Sequence, residues 1–464
     1  MTEKIKQSIR DSKTARWTAL LFISMTLIAG YYFADVMSPL KTMLTENPKY
    51  GWDGKEYGFF TGAYSWLVVL GFLIVGGIVL DKSGIRFTGI TFSLIMIAGA
   101  GLNYYALTDT FINGGPLYNF MNSFMTGFKP SVKLAAVGYA FFGLGIEILG
   151  VTGSRIVVKW FKGKELAFAM GLQVAFGRLG MLWVFWQSPR LAGTEQVITR
   201  PVALGLLILV IGLLTYLVYC VLDYRLDKQE AIDLSEEKEE FKLRDVANIL
   251  TNKAFIYISL LCVLFYAAVF PFMKFAPDLM VQKFGIIKET AGDIPSLLPL
   301  GTMALTPLFG LFLDYKGKSA SIMVLGSLLL ILVHLGFAFG PASSVFAIFM
   351  IIILGISFSL VPAAMWPAVP SIVKEKYLGS AYSLIFWIQN WGLMGVPMLI
   401  GWALEESNPG VTEAIQQGAD ARYDYTVPMV IFAVTGFLGL IFAFLLKRED
   451  KVKGYGLEQP NKMD

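Results

Sequence analysis

Long apolar windows separated by polar turns recur along the whole chain. Stretches of about 20 mostly apolar residues fall near 17–40, 56–80, 87–108, 132–159, 166–189 and 201–222. A second set follows near 254–282, 292–313, 320–340, 344–373, 378–402 and 426–446. At ~1.5 Å rise per residue, a helix of about 20 residues crosses a ~30 Å hydrocarbon layer. The pattern predicts an all-α membrane protein with about 12 transmembrane helices in two six-helix bundles. Residues 1–222 form the first bundle, 223–253 a charged linker, and 254–464 the second bundle with its tail. The linker holds Leu234-Ser235-Glu236-Glu237-Lys238-Glu239-Glu240 and reads as a solvated, partly helical segment.

Composition agrees with this pattern. The chain is 56% hydrophobic and only 16% charged, too little charge to cover a soluble protein of 464 residues. Lys and Arg set the orientation, with about 25 of 38 falling in segments that twelve crossings place on the side of both termini. Both termini are therefore expected in the cytoplasm, and Met1 to Arg16 reads as a polar, basic tail with no cleavable signal. The outer loops near 109–131 and 403–425 show no folded domain. The net charge of +4 is slight and forms no nucleic-acid patch. Cys220 and Cys262 lie in apolar windows and read as small core residues. No Asn-x-Ser/Thr sequon occurs, so nothing marks the outer loops for glycosylation.

Two charges interrupt the fourth and fifth windows. Glu147 and Arg178 each lie about 15–16 residues from the turn Trp160-Phe161-Lys162-Gly163-Lys164-Glu165, or roughly 23 Å along their helices. In an antiparallel hairpin they share one depth, somewhat past the midplane. A charge there costs on the order of 2.5–3.5 kcal/mol and commonly lines a cavity or transport path. An acid and a base on adjacent helices also match the two ends of a zwitterion, with the planar guanidinium suited to a carboxylate. A self-neutralising structural pair is the plainer reading, and the two are compatible.

An internal repeat sets the architecture. Gly77-Ile78-Val79-Leu80-Asp81-Lys82-Ser83-Gly84-Ile85-Arg86 joins the second and third windows, and Gly310-Leu311-Phe312-Leu313-Asp314-Tyr315-Lys316-Gly317-Lys318 joins the eighth and ninth. Gly, Asp and Gly recur at one offset of about 233 residues, as two homologous halves require. Gly77, Asp81, Gly84, Arg86, Gly310, Asp314, Gly317 and Lys318 are the expected elements of a conformational latch. This paired loop resembles the signature of the major facilitator superfamily, which implies alternating access between two pseudo-symmetric bundles.

A narrower resemblance rests on Gly143-Leu144-Gly145-Ile146-Glu147, Trp160 to Leu166, Gly171-Leu172-Gln173 and Arg178-Leu179-Gly180. It extends to Tyr32-Phe33 with Asp35, Tyr64-Ser65-Trp66, Trp366-Pro367 with Pro370, Leu378-Gly379-Ser380-Ala381-Tyr382, and Gln389-Asn390 with Gly392. These stretches resemble the lysosomal dipeptide-uniporter branch of the superfamily. The resemblance implies that Glu147 receives a peptide's ammonium end and Arg178 its carboxylate. The tail up to Arg16 departs from the lysosomal proteins by lacking a dileucine sorting signal, and Arg155 departs from the branch pattern. A prokaryotic relative in a plasma (inner) membrane is the expectation, and whether the substrate stays a dipeptide is open.

Other residues refine the site. Asp35 is a ligand contact or an interfacial carboxylate; Tyr64 and Trp366 are cavity walls or packing aromatics. Asn390, beside Gln389, reaches substrate or another helix. Repeat alignment places Ser357 near the counterpart of Glu147 and Asn390 near that of Arg178, so neutral hydrogen-bonding groups are expected opposite the charges. Lys274 and Asp278, four apart, read as a salt bridge within one helix. Pro362, Pro367 and Pro370 in the tenth window, and Pro271 and Pro277 in the seventh, kink helices. His334 is single, and no residue cluster suggests a metal site or other cofactor. Lys318-Ser319 lacks the glycine spacing of a phosphate loop. The expectation is a monomeric carrier, not an enzyme, moving dipeptides or similar zwitterions by uniport or proton symport. The alternatives are an organic-anion or drug carrier using Arg178, or a non-cycling sensor.

Overall fold

The structure is a computed structural model that describes residues 9–161, 163–229, 249–374 and 377–460. Among these residues the secondary structure is helical, with no strand. The first crossing is Lys13–Ala34, begun by Ser12, whose side chain accepts from the Ala15 amide. The fourth to sixth are Pro130–Phe161, Leu166–Ala192 and Thr199–Gln229. The seventh to ninth are Lys253–Gln282, Leu297–Lys316 and Ser319–Phe339. The tenth to twelfth are Ser344–Ile372, Leu378–Glu406 and Thr426–Lys453. Leu207, Leu214, Val221, Leu308, Phe349 and Phe444 stay exposed on the outside of the bundle, as lipid-facing residues should.

The second crossing differs from an unbroken window at 56–80. It is assembled from Gly54–Gly62, a 3-10 turn at Ala63–Ser65, the short helix Trp66–Val69 and the start of Phe72–Ala106. Gly71 at φ +91° interrupts it, a conformation a side chain would disfavour. The long run Phe72–Ala106 contains both second and third crossings, and the chain turns at Gly84 (φ 75°, ψ 175°). Among the described residues eleven helices are therefore long and apolar enough to span a membrane, while the chain crosses twelve times. The expected linker begins as helix, since Thr199–Gln229 continues past Asp223. The run Leu234 to Glu240 lies outside the described residues.

Among the described residues, ion pairs join the two halves at one face only. At the face away from the chain ends, five ion pairs join them: Asp35–Lys274, Lys41–Asp278, Glu46–Lys288, Lys55–Glu406 and Arg190–Asp293. Backbones also touch there. A Cβ on Gly58 would stand 2.5 Å from the Pro397 carbonyl, and one on Gly401 would stand 2.1 Å from that of Gly54. Small residues at i, i+4 let the second and eleventh crossings close to backbone contact. At the face carrying Ile9 and Pro460, every ion pair between described residues stays within one half. Among the described residues the arrangement is sealed at one face and parted at the other.

The signature loops sit at the parted face. Asp81 pairs at 2.7 Å with Arg155, the residue that departed from the branch pattern. Arg86 pairs with Asp227 at 2.8 Å and approaches Asp223 at 3.6 Å, and Lys159 bridges the same two carboxylates. In the second half, Gly317 (φ +67°) lies against Gln459, and Lys318 approaches Glu458 at 3.9 Å. Gly77 and Gly310 have open space where a Cβ would stand, so neither makes a close helix contact here.

Candidate functional site

Glycines position both charges. Gly143 lies one helical turn before Glu147, and a Cβ there would stand 2.0 Å from the Tyr64 carbonyl. The fourth helix therefore packs directly on the 3-10 turn of the second crossing. Tyr64, carried on that turn, donates its hydroxyl to Glu147 Oε1 at 2.8 Å. The neighbouring Ser65 points the other way and bonds Asn390 at 2.7 Å. On the fifth helix, Gly180 backs onto the Ile28 carbonyl and Gly177 onto the Tyr31 ring, at 2.3 and 2.8 Å for an added Cβ. Arg178 lies between those two contacts.

Glu147 and Arg178 are both partly exposed. Neither forms an ion pair among the described residues; Glu147 is held by Tyr64, and the one hydrogen-bond contact of Arg178 is a 4.0 Å approach to Met181 Sδ. The self-neutralising pair is absent in this arrangement. Tyr31, 39% exposed, lays its ring on Gly177, the residue before Arg178. Sequence reading passed over it, because an aromatic in an apolar window looks like lipid-facing or packing surface. The adjoining motif residue Tyr32 is fully buried, and Gly177 was the available clue.

The second half faces Arg178 with aromatic rings, not with the expected neutral hydrogen-bonding groups. Ser357 is fully buried and donates to the Gly326 carbonyl, while Asn390 is occupied by Ser65 and the Phe386 carbonyl. Phe358 and Phe270 instead lie under Arg178, with ring centroids 5.2 and 5.7 Å from Cζ. Both rings contact Tyr266, whose hydroxyl accepts from Trp366 Nε1 at 2.9 Å. Trp366 is partly exposed and stacks on Phe386 at 5.0 Å. Trp366 and Tyr266 therefore extend one aromatic wall to Arg178.

Asp35 closes the site toward the sealed face. Its carboxylate accepts from Lys274 at 2.7 Å, and the same ammonium reaches the Ala34 carbonyl and Tyr139 hydroxyl. Tyr139 touches Tyr64 ring to ring at 5.5 Å. Asp278 pairs with Lys41 at 2.6 Å, so the proposed Lys274–Asp278 bridge within the seventh helix does not form. Each of the two reaches across to the opposite half, because a buried charge prefers a direct, enclosed partner to a solvent-screened neighbour on its own helix. His334 is buried between Phe272 and Phe432 and bonds the Ala268 carbonyl. Two cavities, of about 330 Å³ at Asn252 and Tyr377 and about 470 Å³ at Leu179 and Trp183, are lined by neither Glu147 nor Arg178.

Comparison with known proteins agrees with this architecture. The family model for the Major Facilitator Superfamily matches residues 19–397 and 269–461. The lysosomal dipeptide transporter MFSD1 of Mus musculus is 32% identical over 406 residues, covering 85% of this chain and 81% of the relative. The MFSD1 protein of Danio rerio is 31% identical over 408 residues, covering 84% and 81%. A bacterial homologue of the human lysosomal transporter Spinster, solved in an inward-facing and unoccupied conformation, superposes with a TM-score of 0.68. It has 15% identity and covers 98% of this chain and 99% of its own. Two six-helix halves, a paired loop signature and a matching family model over most of the length lead to one conclusion: the chain belongs to the Major Facilitator Superfamily.

Proposed function

We propose that this membrane carrier moves dipeptides and similar small zwitterions, with Glu147 receiving the ammonium end and Arg178 the carboxylate. The observation that carries this reading is that both charges are partly exposed and, among the described residues, neither is paired with the other or with any opposite charge. An unmatched acid and base can each exchange a water shell for one end of a ligand, whereas a closed ion pair would first have to break. Tyr31 packs on Gly177, next to Arg178 in the chain, and Trp366 offers an aromatic surface to a ligand side chain. The similarity to lysosomal dipeptide transporters supports the choice of ligand class. In this mechanism residues 1–222 and 254–464 act as two bodies that rock about the site, and the latch loops re-pair on closing the parted face.

Dipeptide counterflow in proteoliposomes tests the reading. Wild-type protein exchanges labelled dipeptide; Glu147→Gln and Arg178→Ala remain monodisperse and exchange none. Equal rates in both variants would remove the site assignment. Loss with Arg178→Ala alone, accompanied by monocarboxylate transport, would replace the zwitterion with an organic anion. Peptide-driven acidification of the vesicle lumen separates uniport from proton symport.

A further inference from the structure

The guanidinium of Arg178 belongs to the first half, yet the groups it rests on belong to the second. Phe270 comes from the seventh helix and Phe358 from the tenth, and the two rings meet edge to face at 5.4 Å and 81°. Phe358 is almost wholly buried and Phe270 partly so, with Tyr266 packed against both. The rings are thus fixed by their own packing and provide a firm seat. A guanidinium is attracted to a ring face by the ring quadrupole, most strongly where water is excluded. Its N–H donors lie in its own plane and are not used by such a contact. A 4.0 Å approach to Met181 Sδ is their one hydrogen-bond contact among the described residues.

We infer that Phe270 and Phe358 are positioning residues for carboxylate recognition, holding the guanidinium in place while its donor edge stays free for a ligand carboxylate. This rests on the proposed role of Arg178. Because rings and guanidinium lie on opposite halves, carboxylate affinity depends on how the halves are arranged, and a ligand senses both through one residue.

Comparing a dipeptide with the same dipeptide carrying a C-terminal amide tests the inference. Both keep the ammonium end and side chains; only the former presents an anion to Arg178. Their affinities are measured by competition in proteoliposomes for wild type, Phe270→Leu, Phe358→Leu and Phe270→Tyr. The expected result is a wild-type preference for the free carboxylate that falls about three- to thirtyfold in the Leu variants, the range for a cation–π contact of ~0.7–2 kcal/mol at 1.4 kcal/mol per tenfold. Phe270→Tyr keeps the preference, since it keeps the ring face. Phe270 is partly exposed, so its variant stays informative if Phe358→Leu misfolds. Equal weakening of both ligands, or an unchanged preference in the Leu variants, would overturn the positioning role. A wild-type protein that fails to separate the two ligands, with Arg178→Ala unimpaired, would instead remove the reading beneath it.

Discussion

At the scale of single residues, Glu147 is oriented by one hydroxyl and one missing side chain. Tyr64→Phe removes the 2.8 Å hydrogen bond and little else. Hydrogen bonds to charged groups contribute about 1.5–3 kcal/mol, so dipeptide affinity should fall tenfold or more with the protein still monodisperse. A competition assay against labelled dipeptide reads this directly. Gly143→Ala acts one step earlier, since its Cβ would meet the Tyr64 carbonyl at 2.0 Å. Overpacking of that kind costs ~1–3 kcal/mol, so Gly143→Ala should lower affinity and also disturb the helix packing, which Tyr64→Phe leaves in place. The charges themselves were legible, because an acid and a base deep in apolar windows are costly and conspicuous. Their neighbours were not. Phe358 lies next to Ser357, and a helix turns ~100° between adjacent residues, so aligning the repeats pointed to the hydroxyl while the ring faces Arg178. Lys274 and Asp278 looked paired because i, i+4 spacing always permits a pair; which partner wins depends on burial that spacing cannot convey.

At the scale of elements, the twelve crossings were readable because each needs a long apolar run, and the loop repeat because its glycines and acids recur in register. The break in the second crossing was hidden inside such a run, where Gly71 looks like any other small residue in a membrane helix. The chain's last turn was equally opaque. The twelfth helix ends at Gly454 in the left-handed conformation (φ +69°), which lets the tail double back. Leu457 and Glu458 then accept from the Ser319 and Lys318 amides through their carbonyls. The Glu458 carboxylate takes the Ser321 amide at 2.7 Å and its hydroxyl at 2.8 Å. The ninth helix is thereby capped by the far end of the chain, with a carboxylate at its positive pole. Glu458→Ala should cost ~1–2 kcal/mol locally. The expected signature is faster amide exchange at Ser319 to Ser321, with protection in the first half unchanged.

For the whole molecule, the sealed face poses an energetic question that decides how the carrier moves. Lys41 and Asp278 have no side-chain exposure, and Thr42 at 2.6 Å and Tyr425 also donate to the carboxylate. Burying such a pair costs several kcal/mol per ion in lost hydration, and mutual attraction returns about as much. The net contribution to closure is therefore small, which suits a face that must open in each cycle. Removing one partner is different, because the survivor stays buried and unmatched only while the face is sealed. Lys41→Met should destabilise the sealed arrangement by ~3–5 kcal/mol without affecting an open one, a shift of more than a hundredfold in their ratio. The double change Lys41→Met with Asp278→Leu removes the unmatched charge and should restore sealing, or tighten it. Spin labels at Glu195 and Arg422, exposed positions on the same face in opposite halves, would read both effects in a protein lacking Cys220 and Cys262. The distance should lengthen in the single variant and return in the double. If both variants open alike, the pair is a true clamp whose attraction exceeds its hydration cost. The carrier would then need ligand binding energy to part its halves, and its empty form could not return unaided.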